Sequence, residues 1–165
     1  MTESAPVAVF VSAGSNINPA DNLRLAYREL VNRYGEVRCS AVYQNPAVGF
    51  DGDDFLNTVF AFRTTDSAAG VLAALEEIHA AAKRVRLAEK YSPRTLDLDM
   101  LLYGDLVDAG LKVPHGDIDK YPFVLRPLAE LAPECVHPVT GSTLGAMQAG
   151  APATALPMQP VALDF

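Results

Sequence analysis

The chain has 165 residues, which suffice for one domain with a substantial core and are few for two. Half of the residues are hydrophobic and a fifth are charged, as in ordinary globular proteins. The formal net charge of −7 argues against a protein that binds nucleic acid, because such proteins carry a basic face.

The cysteines and the N-terminal segment bear on the location of the protein. Cys39 and Cys135 do not have the spacing of a metal site or of a disulfide framework, which favours a reducing compartment. The first 16 residues carry no basic leader, and their apolar run is too short to span a bilayer. The sequence therefore predicts a cytoplasmic protein without a membrane segment.

The first part of the chain predicts a strand, a helix and a second strand. The β-branched run 7–13 predicts a strand that ends in a turn. Apolar residues at helical spacing between Pro19 and Gly35 predict a helix, since proline favours helix starts and glycine favours helix ends. Residues 36–45 alternate as a second strand. Its two predicted faces are Val37, Cys39, Ala41 and Tyr43, and Arg38, Ser40, Val42 and Gln44.

The rest of the chain completes a recognisable order of elements. After a loop at 46–54, the sequence predicts a strand at 55–64, a helix at 68–84 and a strand at 95–103. The order strand, helix, strand, strand, helix, strand is that of the ferredoxin-like split βαβ core, an α+β fold. It has an antiparallel sheet with both helices on one face. A short helix follows at 123–131. We predict one domain over 1–147 and an extended tail over 148–165.

Two acidic residues interrupt the apolar run SPRTLDLDMLLYG. On a strand, Asp97 and Asp99 share one face, with Cα atoms about 6–7 Å apart. The other face carries Leu96, Leu98 and Met100. Two neighbouring carboxylates repel each other unless a cation lies between them, and their hard oxygen ligands suit Mg²⁺. The alternative is a sheet edge at which both acids face water.

A basic segment leads to these acids. Lys83, Arg84, Arg86, Lys90 and Arg94 precede Asp97 in what is interpreted as a loop. Such a run is often a solvated surface. Beside two carboxylates it has a second use, since the carboxylates bind a metal, the metal binds a polyphosphate and the arginines neutralise its remaining oxygens.

Other residues extend this hypothesis to a second ligand. His115 is a candidate to donate a hydrogen bond to a phosphate oxygen, and a structural histidine is the alternative; His79 and His137 are interpreted as structural. Phe55 and Asn57 share a strand face, where a ring for stacking and an amide suit a heterocycle. A core phenylalanine and an asparagine at a strand end are the alternative.

Several short segments of the sequence, taken together, resemble the 6-hydroxymethyl-7,8-dihydropterin pyrophosphokinase family of the folate pathway. The most specific piece is PRTLDLDMLLYG, supported by DFLN, RVR, VPH and FVLRPLAELAP, and the resemblance runs from AGSN to HPVTG. It implies a ferredoxin-like fold and transfer of the pyrophosphoryl group of ATP to the hydroxymethyl oxygen of the pterin, with release of AMP. It also implies two Mg²⁺ ions and the small-molecule substrates ATP and a hydroxymethyl-pterin. Separately, we expect no nucleic acid or membrane partner, and a monomer.

The resemblance also implies roles for single residues. Asp97 and Asp99 are expected to bind both metals, and Arg84 and Arg94 to stabilise charge on the transferred group. The residues expected to contact ATP are Arg86, Tyr91 and His115.

For the pterin, the resemblance implies a different set of contacts. The ring is expected to stack between Phe55 and Phe123. Its polar edge is expected to pair with Asn57 and with the backbone around Asn45, Pro46 and Val48.

Four departures from the family pattern define the alternatives. Tyr121 stands where the family has an arginine, Leu87 where it has a basic residue, and His79 where it has a glutamate. The family's WGPR is YSPR, with Tyr91 and Ser92. Two cations are thus missing from a triphosphate site. The main alternative is a paralogue that keeps the fold and binds a pterin or acts on another substrate; a purely structural domain is the third possibility.

Overall fold

The computed structural model describes residues 5–46, 53–88, 96–151 and 158–165, with the side chains of 84–88 excepted. Within these ranges the strands are β1 (Val7–Ser15), β2 (Arg38–Cys39), β3 (Val42–Asn45), β4 (Phe55–Thr64), β5 (Asp97–Tyr103) and β6 (Gln159–Val161). The helices are α1 (Pro19–Tyr34), α2 (Ala68–Ala88), α3 (Asp117–Lys120), α4 (Pro122–Leu131) and α5 (Leu144–Gly150). None of the helices in the described part of the chain combines the length and the apolar character needed to cross a membrane.

The strands form one antiparallel sheet in the order β5-β1-β4-β3-β6, and β2 pairs with β4 beside β3. Helices α1 and α2 pack on one face of this sheet, and α4 and α5 on the other. The ferredoxin-like α+β fold predicted from the order of elements is therefore confirmed.

Alternation along β1 separates two apolar cores. Val9, Val11 and Ala13 point towards α1 and α2, where they join Leu30 and Ile78 in the first core. Phe10 points to the other face and packs with residues of α4 and α5 in the second core. By the same period of two, Ser12 and Gly14 continue the second face towards the end of the strand. This face therefore changes from apolar to polar at the end of the sheet where the acids of β5 lie.

The predicted strand 36–45 is divided into β2 and β3. Ser40 N donates to Val59 O at 2.9 Å, and Val59 N donates to Ser40 Oγ at 2.9 Å. The serine hydroxyl thus replaces a backbone carbonyl and disturbs the alternation. Val42 joins Val37 in the first core, whereas Ala41 is exposed. The predicted assignment of faces is therefore wrong beyond Ser40.

Helix α2 is longer than the sequence predicted. It continues through residues 84–88, so Arg84 and Arg86 belong to a helix and the interpretation of this part as a loop is wrong. No glycine or proline occurs between Gly70 and Pro93, and Arg, Leu and Ala are good helix formers. A cluster of charge does not by itself end a helix.

The C-terminal residues pack against the domain. Residues 148–150 belong to α5, and β6 pairs with β3 at the edge of the sheet. The ring of Phe165 lies 5.3 Å from that of Tyr27 and 5.5 Å from that of Phe60, between centroids. Arg24 Nε donates to the carbonyl oxygen of Asp164 at 2.9 Å. The part of the predicted tail at 158–165 therefore covers the free side of β3.

Candidate active site

A cavity of about 380 Å³ lies at the polar end of the sheet, where β1, β4 and β5 meet α3 and α4. Its wall combines three kinds of side chain. The acidic ones are Asp97, Asp99 and Asp117, the aromatic ones are Phe55, Tyr121 and Phe123, and the small or amide-bearing ones include Ser12, Gly14, Asn45, Asn57 and Thr58. Acidic and aromatic groups therefore share one cavity.

Strand β5 presents its acids to this cavity in the predicted way. Asp97 and Asp99 line it, whereas Leu98 between them is 4% exposed and packs in the first core. Gly14 and Ser12 of β1 are the cross-strand partners of Asp97 and Asp99. The small side chains on β1 leave space in front of the two carboxylates.

His115 and Asp117 lie beside Asp99. His115 Nε2 is 3.9 Å from Asp99 Oδ1, and His115 Nδ1 is 3.7 Å from Asp117 Oδ2. The backbone N–H of Asp117 donates to His115 Nδ1 at 3.1 Å, which places the proton of a neutral imidazole on Nε2. The donor atom of His115 therefore faces Asp99 and the space beside it.

A local irregularity of β5 holds His115 at this position. The register between β1 and β5 pairs Phe10 with Leu102 and Val11 with Met100, so Leu101 is an extra residue. Its carbonyl oxygen accepts a hydrogen bond from the backbone N–H of His115 at 2.9 Å. The strand that carries the acids thus also fixes the start of the segment that carries His115.

The acidic group has the chemistry of a cation site. Burial raises the pKa of Asp99; His115 lowers it, and Asp97 and Asp117 raise it further because like charges disfavour ionisation. One carboxylate oxygen of Asp99 lies within 4.8 Å of one of Asp117, and His115 borders this pair. Carboxylate oxygens on a fixed strand suit a hard divalent cation such as Mg²⁺, which would relieve the repulsion between them. The residues present fit that ion.

At the other end of the cavity, two buried asparagines pair with each other. Asn57 Nδ2 donates to Asn45 Oδ1, and Asn45 Nδ2 donates to the carbonyl oxygen of Pro46 at 3.1 Å. Asn57 and Asn45 are 8% and 2% exposed. A Cβ atom at Gly14 would lie 2.7 Å from Asn57 Oδ1, so only glycine leaves this amide in place. The amide is thereby fixed against the wall of the cavity.

Three aromatic residues, Phe55, Tyr121 and Phe123, line the same cavity. Tyr121 and Phe123 stack with ring centroids 4.9 Å apart and an angle of 19° between planes. Lys120 Nζ lies 5.2 Å from the centroid of the Tyr121 ring. The position at which the family resemblance implies an arginine is thus filled by a ring packed on Phe123.

The structure brings together most of the predicted site residues that it describes. Those in the cavity wall are Asn45, Phe55, Asn57, Asp97, Asp99 and Phe123, with His115 next to Asp99 and Pro46 bonded to Asn45. Arg84 and Arg86 lie in the C-terminal part of α2, and their side chains are outside the described part. Val48, Tyr91 and Arg94 lie outside the described residues, as do Lys90 and Ser92.

Sequence reasoning did not assign Ser12, Gly14, Thr58 or Asp117 to the site. A signal for Ser12 and Gly14 was present, since period-two alternation places both on the face of β1 opposite to Val11 and Ala13. Asp117 lies two residues after His115 and carried no separate signal, because its place depends on the turn into α3.

Comparison with known proteins gives a consistent result. The family model described as 7,8-dihydro-6-hydroxymethylpterin-pyrophosphokinase (HPPK) matches residues 10–133. The 2-amino-4-hydroxy-6-hydroxymethyldihydropteridine pyrophosphokinase of Synechocystis sp. is 44% identical over 139 residues, covering 81% of this chain and 71% of its own. The protein of the same name from Pseudomonas aeruginosa is 39% identical over 133 residues, covering 76% and 81%.

A solved structure supports the same architecture. The wild-type HPPK-DHPS of Plasmodium falciparum, crystallised with pterin and p-hydroxybenzoate, superimposes with a TM-score of 0.71 at 12% identity. The match covers 90% of this chain but only 44% of that longer chain. At this identity the likeness is one of fold.

Proposed function

The chain belongs to the 7,8-dihydro-6-hydroxymethylpterin-pyrophosphokinase family, and we propose that it transfers the pyrophosphoryl group of ATP to 6-hydroxymethyl-7,8-dihydropterin in folate biosynthesis. The single observation that carries the proposal is the shared cavity. One end holds Asp97 and Asp99, and the other end holds Phe123 and the fixed amide of Asn57. A phosphate donor and a flat heterocyclic acceptor would meet in such a cavity.

The acidic end is assigned to the nucleotide. Asp97 and Asp99 would hold two Mg²⁺ ions, which when bound supply positive charge to the phosphate oxygens. The Nε2–H of His115 faces the same space and is a donor for a phosphate oxygen. The residues further assigned to the nucleotide are Arg84, Arg86, Tyr91 and Arg94.

The aromatic and amide end is assigned to the pterin. Its ring would stack between Phe55 and Phe123, and the amide of Asn57 would pair with its polar edge. The backbone around Asn45, Pro46 and Val48 would make the remaining contacts with that edge. The hydrogen bond between Asn57 and Asn45 holds the amide in one orientation before the substrate arrives, which reduces the cost of binding.

The reaction needs positioning and neutralisation of charge more than covalent chemistry by the protein. The hydroxymethyl oxygen attacks the β-phosphorus of ATP in line and releases its proton to solvent. The bond from the β-phosphorus to the oxygen that bridges to the α-phosphorus breaks, and AMP leaves with that oxygen. Arg84 and Arg94 are assigned to the negative charge that develops on the transferred group.

The proposal extends to the setting of the reaction. Both cysteines, Cys39 and Cys135, are free thiols, as in proteins of a reducing compartment, and we place the enzyme in the cytoplasm. The net charge of −7 supports small-molecule partners and no nucleic acid. The enzyme is proposed to act as a monomer.

A second candidate function rests on Tyr121. Its ring lines the cavity at the position where the family resemblance implies an arginine, and Leu87 replaces a further basic residue. Each lost charge-assisted contact would cost about 1.5–3 kcal/mol. A pterin-binding paralogue that acts on another substrate is therefore the alternative.

One assay tests the proposal and separates it from the alternative. The protein is mixed with ATP, Mg²⁺ and 6-hydroxymethyl-7,8-dihydropterin, and AMP is measured with each component omitted in turn. AMP that requires all three supports the kinase. Pterin binding without AMP at high protein concentration supports the paralogue, and binding of neither ligand contradicts both.

A further inference from the structure

His79 contacts β5, the strand that carries Asp97 and Asp99. It lies on α2, and its Nε2 accepts a hydrogen bond from the backbone N–H of Leu98 at 2.9 Å. Among the described strands, β5 lies at the edge of the sheet and pairs with β1. Edge strands present backbone groups that the sheet does not satisfy, and here a side chain of α2 satisfies one of them.

His79 has a second contact, with a glutamate on the same helix. Nδ1 of its ring lies 3.3 Å from Oε1 of Glu76, one turn earlier on α2. Because Nε2 accepts a hydrogen bond from the Leu98 N–H, the neutral ring carries its proton on Nδ1, which donates a hydrogen bond to Glu76 Oε1. The side chain of His79 is 20% exposed, and that of Glu76 is 79% exposed. The carboxylate thus orients the imidazole from the solvent side.

The backbone group that His79 binds lies between the two acids. Leu98 is flanked by Asp97 and Asp99, and its own side chain is buried in the first core. The peptide between Asp97 and Leu98 is therefore held on three sides, by the ladder with β1, by the core and by the imidazole. A rotation of this peptide would move the Asp97 carboxylate relative to that of Asp99.

We propose that His79 is a positioning residue that sets the relative placement of Asp97 and Asp99 through the backbone of Leu98. This rests on the proposed function, since it deepens the assignment of the two aspartates to the metal-nucleotide site. A neutral imidazole suits the task because it accepts a hydrogen bond from the backbone N–H without adding a negative charge near Asp97, Asp99 and Asp117. Loss of the His79 imidazole would weaken Mg²⁺-dependent nucleotide binding at Asp97 and Asp99 without changing pterin binding.

The contact itself can be tested in the metal-free protein. ¹⁵N chemical shifts of the His79 ring report which nitrogen carries the proton, and the expected result is an unprotonated Nε2. Amide hydrogen exchange at Leu98 should be at least tenfold faster in His79→Ala than in the wild type. His79→Gln offers an amide oxygen as acceptor and should restore most of the protection. A protonated Nε2 or an unchanged exchange rate in His79→Ala overturns the proposal.

The positioning role can be tested by ligand binding. Binding of a non-hydrolysable ATP analogue is titrated with Mg²⁺, and binding of the hydroxymethylpterin is measured separately. His79→Ala should need about 3–10-fold more Mg²⁺ for half-maximal nucleotide binding, with pterin affinity changed less than twofold. His79→Gln should be close to the wild type. In the AMP-release assay, the loss in His79→Ala should be partly recovered by added Mg²⁺.

Tyr103→Phe is a matched control at the other end of β5. It removes a hydrogen bond of 2.5 Å from the Tyr103 hydroxyl to the carbonyl oxygen of Asp66, just before α2. Equal effects of Tyr103→Phe and His79→Ala on the Mg²⁺ requirement, or no effect of His79→Ala, overturn the positioning role. If the wild type itself binds no nucleotide with Mg²⁺, the proposed function fails first, and the role of His79 fails with it.

Discussion

The ring of Tyr121 stacks on the ring of Phe123 in the wall of the cavity, with centroids 4.9 Å apart and planes inclined by 19°. Pro122 lies between them in the sequence and begins α4, so Tyr121 directly precedes the helix and Phe123 belongs to its first turn. Lys120 Nζ lies 5.2 Å from the centroid of the Tyr121 ring. The stack fixes the plane of Phe123, which is the ring proposed to bind the pterin.

Replacement of Tyr121 tests whether this stack supports the pterin. Aromatic pairs contribute about 0.5–1.5 kcal/mol, and Tyr121→Ala should therefore raise the Kd for the hydroxymethylpterin about 2–12-fold. Tyr121→Phe keeps the ring and should remain within twofold of the wild type. Isothermal titration calorimetry with each variant gives both values. An equal loss in the two variants would assign the effect to the hydroxyl instead of the stack.

Gly14 is predicted to be essential for the placement of Asn57. An added Cβ would lie 2.7 Å from Asn57 Oδ1, which forces the amide away from Asn45. Gly14→Ala should weaken pterin binding by about 5–150-fold, since a buried amide would lose its partner at a cost of about 1–3 kcal/mol. Binding is measured by calorimetry and folding by circular dichroism.

Gly150→Ala is the control for this substitution. A Cβ at Gly150 has nothing within 4 Å, and the residue lies at the end of α5, away from the cavity wall. It should leave pterin affinity unchanged. Full pterin affinity in a folded Gly14→Ala variant would show that Asn57 does not bind the polar edge of the pterin ring.

The sequence predicted the features that depend on local patterns of residues. The opposite faces of Asp97 and Leu98 follow from the period of two, which holds along an uninterrupted stretch of strand. The same rule failed at Ser40, because its hydroxyl replaces a backbone carbonyl towards Val59, and such a bond depends on a partner 19 residues away. The placement of Asp117 beside Asp99 depends on a turn that no periodicity encodes.

His79 shows why part of the site could not be found from the sequence. In the helical pattern, His79 is predicted to be one more partly exposed residue beside the apolar Ile78. Its function follows from the packing of α2 against the edge of β5, which brings Nε2 to the Leu98 N–H. This contact joins elements that are separate in the chain, and composition or spacing cannot predict its geometry.

Removal of Asp97 should affect nucleotide binding and pterin binding differently. Asp97→Ala is expected to lower Mg²⁺-dependent affinity for an ATP analogue at least a hundredfold, because a metal ligand is lost, while pterin affinity changes little. Asp105→Ala is the matched control, since Asp105 is exposed in the turn after β5. Calorimetry with and without Mg²⁺ checks both. Unchanged nucleotide affinity in Asp97→Ala contradicts the assignment of the metal site.

The crowding of acids predicts that Asp99 reduces the stability of the metal-free protein. Burial raises its pKa, His115 opposes this, and Asp97 and Asp117 add to it. The folded state therefore holds the proton more tightly than the unfolded state, whose aspartate has a pKa of about 3.9. As pH rises above that value, the unfolded state ionises first, and the free energy of unfolding falls until the folded pKa is passed. The destabilisation is thus present at neutral pH and absent in acid.

Asp99→Asn removes this charge and should stabilise the metal-free protein at neutral pH. The side chain of Asp99 is 47% exposed, so solvent screening limits the gain to less than about 1 kcal/mol. Thermal unfolding in EDTA should show a Tm higher by about 1–3 °C near pH 7.5, and a smaller gain near pH 4.5. With Mg²⁺ and an ATP analogue the order should reverse, because only the wild type binds both. Asp119→Asn, an exposed change of equal charge on α3, should show neither effect. A gain for Asp99→Asn that is independent of pH would contradict the electrostatic origin and point to packing.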